Sequence, residues 1–189
     1  MINPLWLPCA LVLKTSLDKT IRSSMSSSTA LYSSFSHPVV DPSTGKEIQD
    51  LDEKLNGKRV ALYFAAGWCP MCTTFEPALE TFRQSAKDSG KPIQLVYVSS
   101  DRSPDAHLQR ASSLDMWTVP FEEVGADLKR KYNIWSGSES FEFGFGRRSG
   151  VPALVVLDKD GNELSFVAAE AQGPKALTSW PLDDENGIW

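Results

Sequence analysis

The sequence predicts an α/β domain in which helices flank a mixed β-sheet. Three observations lead to this prediction: apolar runs of strand length, helical patterns between them, and a hairpin turn signal in the last third of the chain. With 189 residues, 41% hydrophobic and 23% charged, the chain can build one such domain and some additional polypeptide.

Three strands are expected in the centre of the sheet. Residues 59–66, 93–98 and 153–157 are largely apolar runs whose length suits strands buried on both faces. Residues 158–162 contain an Asp-Gly turn signal, and residues 163–168 supply the return strand. The sheet is therefore predicted to combine a β-α-β half with a hairpin.

The longest helix is expected directly after the first buried strand. Phe75, Leu79 and Phe82 recur at spacings of four and three, with mostly polar residues between them. Pro77 is expected to kink this helix without ending it, because the apolar spacing continues beyond it. Gly90 is expected to supply the left-handed residue at its end.

Shorter helices are expected elsewhere in the domain. Ser103-Pro104 is a strong helix start, with proline at the first helical position. One apolar face follows it, formed by Leu108, Ala111 and Leu114. A charged helix is expected near 126–132, and residues 46–55 are interpreted as a short strand or turn that leads into a short helix.

Residues 1–40 are predicted to be a leader, followed by the domain at 41–182 and a tail at 183–189. The leader holds nine serines, three basic residues and one acid, so the remainder carries a net charge of −7 against −5 for the whole chain. This composition is typical of an organelle transit segment, whereas a disordered tail or a start at Met25 explains it equally well. The expected location is intracellular. An uncleaved leader favours the cytoplasm or nucleus, and cleavage near residue 35 favours a mitochondrion or plastid.

Charge and apolar runs argue against two classes of partner. A net charge of −5 disfavours binding to nucleic acid or an anionic membrane, since both need a basic surface. The longest apolar run, residues 5–13, contains Pro8 and is too short to cross a bilayer, which takes roughly 20 residues. We expect no nucleic-acid partner, no membrane partner and a monomer.

Cys69 and Cys72 form a Cys-x-x-Cys pair where a buried strand passes into a helix. Unpaired N–H groups and the dipole at a helix N-terminus favour negative charge, and thiols placed there ionise below the ordinary pKa of about 8.5. Cys69 is therefore the predicted nucleophile, and Cys72, one turn further on, the resolving thiol of a redox-active disulfide. Pro70 fits the first turn, where an N–H has no helical partner.

A zinc site is the alternative use of such a cysteine pair, but a closed structural site needs four ligands. The other candidate ligands are Cys9, His37 and His107, and none of them forms a second pair with suitable spacing. We therefore expect no metal.

A second element, Gly150-Val151-Pro152, lies directly before the third buried strand. Trp68-Cys69-Pro70-Met71-Cys72, followed about 80 residues later by Val151-Pro152, resembles the thioredoxin superfamily. The resemblance implies a thioredoxin-like fold and a cis peptide bond between Val151 and Pro152 that faces the dithiol. Such a bond would expose the backbone of Val151 for pairing with an extended substrate. An ordinary proline at a strand entry is the alternative.

Within the superfamily the chain resembles the tryparedoxin and nucleoredoxin branch over roughly residues 57–182. Three segments carry this resemblance: 62–69, 116–122 and Ser179-Trp180-Pro181. Tyr63 occupies the inward strand position where thioredoxins proper keep a buried acid.

The branch resemblance implies a thiol-disulfide oxidoreductase that reduces protein disulfides and serves cell redox homeostasis. Its substrates would be disulfide-containing proteins that bind at Trp68, Pro70, Met71, Val151 and Pro152. No bound cofactor is expected, so electrons would come from an external reductase or a low-molecular-weight thiol. A redox-regulated adaptor with little turnover is the alternative. A peroxidase is a third reading, although its usual single cysteine with nearby Thr and Arg is not evident.

Three departures from the branch pattern bear on activity. Met71 stands where members usually carry a second proline, and Thr73 where they usually carry a basic residue. Loss of that cation is expected to alter the reduction potential. The third departure is an insertion of residues 135–149 ahead of the proline.

The insertion has two structural interpretations. Alternation of Phe141, Phe143 and Phe145 suits one face of a strand, whereas four glycines in or beside the segment suit a mobile loop. We hypothesise that it forms part of the target-binding surface, and a longer loop without a role is the alternative.

Several other conspicuous side chains are interpreted as structural. Trp117, Phe121 and Trp180 are expected in the core or in the wall of the site, and the acidic run 183–185 in a solvated tail. His107 lies on a polar helix and is expected to be solvated.

Overall fold

Apolar strands and amphipathic helices alternate along residues 37–182, the part of the chain that the computed structural model describes. Within this range the strands form a single mixed sheet in the order β2-β1-β5-β4-β3-β6-β7. They are β1 (Val40–Asp41), β2 (Lys46–Glu47), β3 (Arg59–Ala65), β4 (Ile93–Ser99), β5 (Trp117–Thr118), β6 (Ala153–Leu157) and β7 (Glu163–Val167).

Helices and 3₁₀ turns connect these strands. The helices are α1 (Leu51–Leu55), α2 (Pro70–Asp88), α3 (Pro104–Ser113), α4 (Glu123–Tyr132), α5 (Ser140–Phe143) and α6 (Ala169–Gln172). Two 3₁₀ segments, Gly137–Glu139 and Gly173–Ser179, precede α5 and follow α6.

The core lies around β3, which pairs in parallel with β4 and antiparallel with β6. Every residue of β3 and β6 is buried. Because both faces of these strands are covered, their sequences are continuous apolar runs instead of alternating ones. The predicted mixed sheet flanked by helices is confirmed, as are its three central strands and the return strand β7.

The helix α2 carries the cysteine pair into the core. It begins at Pro70, buries Phe75 and Leu79, and continues through Pro77 to Asp88. Gly90 then adopts a φ of 74°, a conformation that favours glycine. The start of α3 is also as predicted, since the Ser103 hydroxyl accepts a hydrogen bond from the Ala106 N–H at 3.2 Å.

Of the three strands with two residues each, β2 agrees with the short strand or turn expected at the start of 46–55, whereas β1 and β5 were not predicted. The strands β1, β2 and β5 have two residues each, too few for an apolar period to be visible in the sequence. Val39 is 2% exposed and β1 begins at Val40, so residues assigned to the end of the leader contribute to the sheet. The rest of the predicted leader and the tail at 183–189 lie outside the described residues.

The expectation that His107 is solvated is wrong. This residue is 2% exposed, and its ring lies 5.9 Å from Tyr97 and 5.4 Å from Phe121 between ring centroids. Its Nε2 lies 3.0 Å from the hydroxyl of Thr118, which itself donates to the Tyr97 carbonyl. Because β5 supplies this acceptor, the imidazole can be buried in the neutral state.

The insertion forms no strand around its phenylalanines. Residues 137–143 form the first 3₁₀ turn and α5, and Phe141 and Phe145 are 98% and 85% exposed. Phe143 instead packs against Trp135, with ring centroids 5.6 Å apart. The spacing of two was misleading because the three rings do not share one environment.

The other aromatic residues take the structural roles expected of them. Trp180 is buried against Phe82 at 5.4 Å, Trp117 lies half-buried on the short strand β5, and Phe121 packs on His107. Among residues 37–182, no helix is both long and apolar enough to span a bilayer.

Candidate active site

Cys69 lies at the point where β3 ends and α2 begins. Its Sγ accepts a hydrogen bond from the Cys72 N–H at 3.3 Å, so the thiol caps the helix that follows it. A sulfur in this position lies against the N–H groups at the start of the helix, which have no partners within the helix and can donate hydrogen bonds to it. The predicted nucleophile therefore occupies a site suited to that role.

Cys72 lies one turn further into the protein. It is fully buried, whereas Cys69 keeps 6% of its surface exposed, and both are free thiols. Burial is the main cause that raises the pKa of Cys72 far above the ordinary range of a thiol, and the hydrogen bond with Cys69 adds to it. The two cysteines thus differ in access and in charge environment, as the roles of attacking and resolving thiols require.

The loop before β6 faces Cys69 across a narrow gap. The peptide bond between Val151 and Pro152 is cis, as the resemblance implied. The carbonyl oxygen of Val151 lies 3.7 Å from the Cys69 Sγ. The structure therefore brings the cysteine motif and the Val151-Pro152 pair together from positions 82 residues apart.

Trp68 forms the opposite wall of the site. Its ring is 39% exposed, and its indole N–H donates to the Ser100 carbonyl at 2.8 Å. The guanidinium of Arg102 lies 5.4 Å from the ring centroid, within the range of a cation–π contact. Ahead of it, the Gly67 N–H donates to the Asp101 carboxylate at 2.7 Å. The ring is therefore held at its edge by the Ser100 carbonyl and contacted by Arg102, while the residue keeps more than a third of its surface exposed.

An acidic network lies beneath the dithiol. Glu76 is 9% exposed and forms an ion pair with Arg110, and the Tyr63 hydroxyl donates to its carboxylate at 3.4 Å. Glu76 follows Cys72 by four residues on α2, so both side chains lie on its buried face. Burial raises the pKa of Glu76, and the Arg110 charge opposes that effect only in part.

An apolar groove of about 270 Å³ lies on the third side of the site. Its lining includes Pro70, Met71 and Phe75 from α2, together with Ala169 and Pro174. The side chain of Met71 is 49% exposed there. The predicted substrate-contacting residues thus surround Cys69 on the Trp68 side, the groove side and the cis-proline side.

Sequence reasoning missed three polar residues of this region. Glu76 could have been found, because it is a charged residue four positions after Cys72 within an apolar helical stripe. Asp101 carried a weaker signal, since it follows a buried strand parallel to the one that leads to Cys69. Arg110 carried none, because it reaches Glu76 from another helix.

The alternative interpretation of the cysteine pair, a zinc site, requires further ligands close to Cys69 and Cys72. Within residues 37–182, no three His, Cys, Asp or Glu side chains are grouped as the ligands of a metal ion would be. His107, one of the candidate ligands, is enclosed by aromatic rings, and Cys9 lies outside this range.

Comparison with known families gives a match that includes the whole dithiol motif. A family model described as Thioredoxin-like matches residues 56–163, which is more than half of the chain. Nucleoredoxin of Bos taurus is 28% identical over 134 residues, covering 69% of this chain and 28% of that protein. Probable nucleoredoxin 2 of Oryza sativa subsp. japonica is 32% identical over 127 residues, covering 67% and 29%. The chain spans less than a third of the length of either relative.

Comparison with solved structures points to the same branch. Tryparedoxin I from Leishmania major superposes with a TM-score of 0.55 and is 26% identical. The superposition covers 79% of this chain and 94% of the tryparedoxin. The tryparedoxin is therefore matched over nearly its full length.

Proposed function

This chain belongs to the thioredoxin superfamily, in its tryparedoxin and nucleoredoxin-like branch, and we propose that it reduces protein disulfides through Cys69 and Cys72. One observation carries the proposal. A thiol at the start of a helix faces the carbonyl of a cis Val151-Pro152 pair at 3.7 Å, with a second, buried thiol one turn away.

The first step is attack by the Cys69 thiolate on one sulfur of a partner disulfide. A bond forms between the Cys69 Sγ and that sulfur, the partner's S–S bond breaks, and its second sulfur leaves as a thiolate that takes up a proton. The backbone of Val151 and the groove beside Met71 would hold the substrate segment on either side of the reacting sulfurs.

The second step is resolution by Cys72. This thiol loses its proton, its sulfur attacks the Cys69 Sγ, and the mixed disulfide breaks to release the partner's second thiolate. The partner has then gained two electrons and the chain holds a disulfide between Cys69 and Cys72. An external reductase or a small thiol would return that disulfide to the dithiol.

Resolution needs an acceptor for the proton of Cys72, because burial holds that thiol in its neutral form. Glu76 suits this role, since it lies one turn away in the same buried environment and has a raised pKa. Arg110 and Tyr63 would keep its carboxylate oriented through their contacts with it.

A redox-regulated adaptor is a second candidate, favoured by the two fully exposed phenylalanines of the insertion. In that case the dithiol would gate association with a partner, and turnover would be slow or absent. Their exposure also suits our hypothesis that the insertion contributes to target binding.

An insulin-reduction assay with an external dithiol tests the proposed activity. Wild-type protein is expected to accelerate reduction, and Cys69→Ser and Cys72→Ser are each expected to abolish turnover. Two negative results would overturn the proposed activity: no acceleration by wild type with insulin or a small disulfide, and no partner trapped by Cys72→Ser. The redox-regulated adaptor would then be the preferred function.

A further inference from the structure

We propose that residues 135–149 form a brace that fixes both walls of the dithiol site, with Glu139 and Glu170 as the positioning residues at its two contacts. The brace is defined as the insertion together with these contacts. Its effect on turnover rests on the proposed function, whereas its effect on the two walls does not.

The first contact joins the brace to the Trp68 wall. The Glu139 carboxylate accepts hydrogen bonds from the Ser100 hydroxyl at 2.7 Å and from the Ser136 N–H at 2.8 Å. The carbonyl of the same Ser100 accepts the indole N–H of Trp68. A single residue therefore lies between the insertion and the tryptophan that precedes Cys69.

This contact is buried and charged. Glu139 also pairs with Lys129, whose side chain is only 7% exposed. Burial alone would raise the pKa of Glu139, but Lys129 and the hydrogen bonds from Ser100 and Ser136 outweigh it and lower the pKa. The carboxylate thus stays ionised at neutral pH, when its hydrogen bonds are strongest.

The second contact joins the brace to the cis-proline wall. One oxygen of Glu170 accepts hydrogen bonds from the Gly150 N–H and the Ser149 hydroxyl, and the other pairs with Arg147 at 3.3 Å. Gly150 directly precedes Val151, whose carbonyl faces Cys69. A Cβ at Gly150 would overlap the carboxylate, so glycine is required for this close approach.

The insertion between these contacts is closed on itself. Ile134 pairs with Ser149 at its base, and the Arg147 guanidinium donates to the Trp135 carbonyl at 3.0 Å. The indole N–H of Trp135 donates to the Gly144 carbonyl at 3.1 Å. Both ends of the segment are therefore tied together, and displacement at one contact is opposed at the other.

Two pairs of matched variants test the brace. Ser100→Ala removes the hydroxyl that contacts Glu139 but keeps the carbonyl that holds Trp68. Its control is Ser138→Ala, whose hydroxyl contacts Ser136 inside the insertion. Glu170→Gln removes the ion pair with Arg147, and its control is Glu163→Gln, which removes an ion pair of Arg148 in the insertion that involves neither Glu139 nor Glu170.

Hydrogen exchange of the Trp68 indole N–H and the Gly150 amide, measured by NMR, reports on the two walls directly. The indole signal is identified by its loss in Trp68→Phe. We expect about tenfold faster exchange of the indole in Ser100→Ala and of the amide in Glu170→Gln, with both controls at the wild-type rate. In the same variants KM for insulin is expected to rise at least about threefold, while alkylation of Cys69 by iodoacetamide changes by less than about twofold.

Wild-type exchange rates in both Ser100→Ala and Glu170→Gln would overturn the brace. Equal acceleration in the control variants would also overturn it, because the effect would then be a general loss of stability. If wild type fails to reduce insulin, the proposed function fails, yet the exchange rates still decide whether the brace exists.

Discussion

Cys72 and Glu76 lie one helical turn apart on the buried face of α2. Sequence reasoning did not predict that a carboxyl group would lie so close to the resolving thiol. Both are removed from water, and burial raises the pKa of each. A proton that passes from the Cys72 thiol to the Glu76 carboxylate transfers one negative charge between the two groups and creates no additional buried charge. Arg110 forms an ion pair with Glu76, so the buried carboxylate is not left without a charged partner.

Glu76→Gln is expected to slow resolution while leaving the attack by Cys69 unchanged. The amide keeps the size of the side chain but cannot accept the proton of Cys72, so the second step should be at least about tenfold slower. Quenched-flow analysis of a single turnover separates the formation of the mixed disulfide from its decay.

Glu80→Gln is the matched control for this experiment. Glu80 lies one turn further along α2, is 56% exposed and pairs with Arg83. Equal decay rates in wild type and Glu76→Gln would show that Cys72 loses its proton to another acceptor.

His107 gives a second consequence at the residue scale. Burial lowers its pKa, and the nearby Lys129 charge acts in the same direction while Asp101 opposes it. The unfolded chain therefore binds a proton at higher pH than the folded protein does. Stability from this group is complete above the ordinary histidine pKa of about 6.5 and is lost as pH falls below it.

The free energy of unfolding is expected to decrease between pH 7 and pH 5.5, at a slope of up to about 1.4 kcal/mol per pH unit from this residue. His107→Gln keeps a donor for Thr118 but does not titrate, so its slope in this interval should be smaller. Urea unfolding across the interval measures it. An equal slope in wild type and His107→Gln would contradict the assignment.

At the scale of elements, the insertion separates two phenylalanines that the sequence pattern treats alike. Phe143 packs against Trp135, and the Arg130 guanidinium lies 5.0 Å from its ring centroid. Phe141 is two residues earlier on α5 and is 98% exposed. The short helix thus directs one ring toward the protein and the other into solvent.

Phe143→Ala is therefore expected to destabilise the protein by about 1–2 kcal/mol, because it removes a half-buried ring from aromatic and cation–π contacts. Phe141→Ala should change the free energy of unfolding by less than about 0.5 kcal/mol. Thermal unfolding of the two variants provides the comparison. Similar losses in both would mean that Phe141 is also packed.

The elements differ in how well sequence could predict them. The strands β3, β4 and β6 were predictable because burial on both faces requires long apolar runs. The helix α2 was predictable because its buried face requires apolar residues at helical spacing. The strands of two residues leave no such pattern. Of the two interpretations of the insertion, the strand is not observed, because Phe143 packs against Trp135 whereas Phe141 and Phe145 are exposed.

At the scale of the whole molecule, the site collects residues that are distant in sequence. The end of β3 supplies Trp68 and Cys69, the end of β4 supplies Ser100 and Asp101, and the loop before β6 supplies Val151. Motifs predicted the two cysteines and the proline because their spacing is specific. Motifs could not predict Glu139 or Glu170, because their contacts with Ser100 and Gly150 form only in the folded structure.

The order of the two thiols is the central claim, and mapping a trapped mixed disulfide tests it most directly. Cys72→Ser and Cys69→Ser are each incubated with native insulin, whose disulfides are intact, and the linked peptides are identified by mass spectrometry. Because Cys69 is the accessible thiol at the start of α2, we predict a stable adduct at Cys69 in Cys72→Ser and none in Cys69→Ser. An adduct at Cys72 in Cys69→Ser that forms as fast, or no adduct at Cys69, would contradict the account.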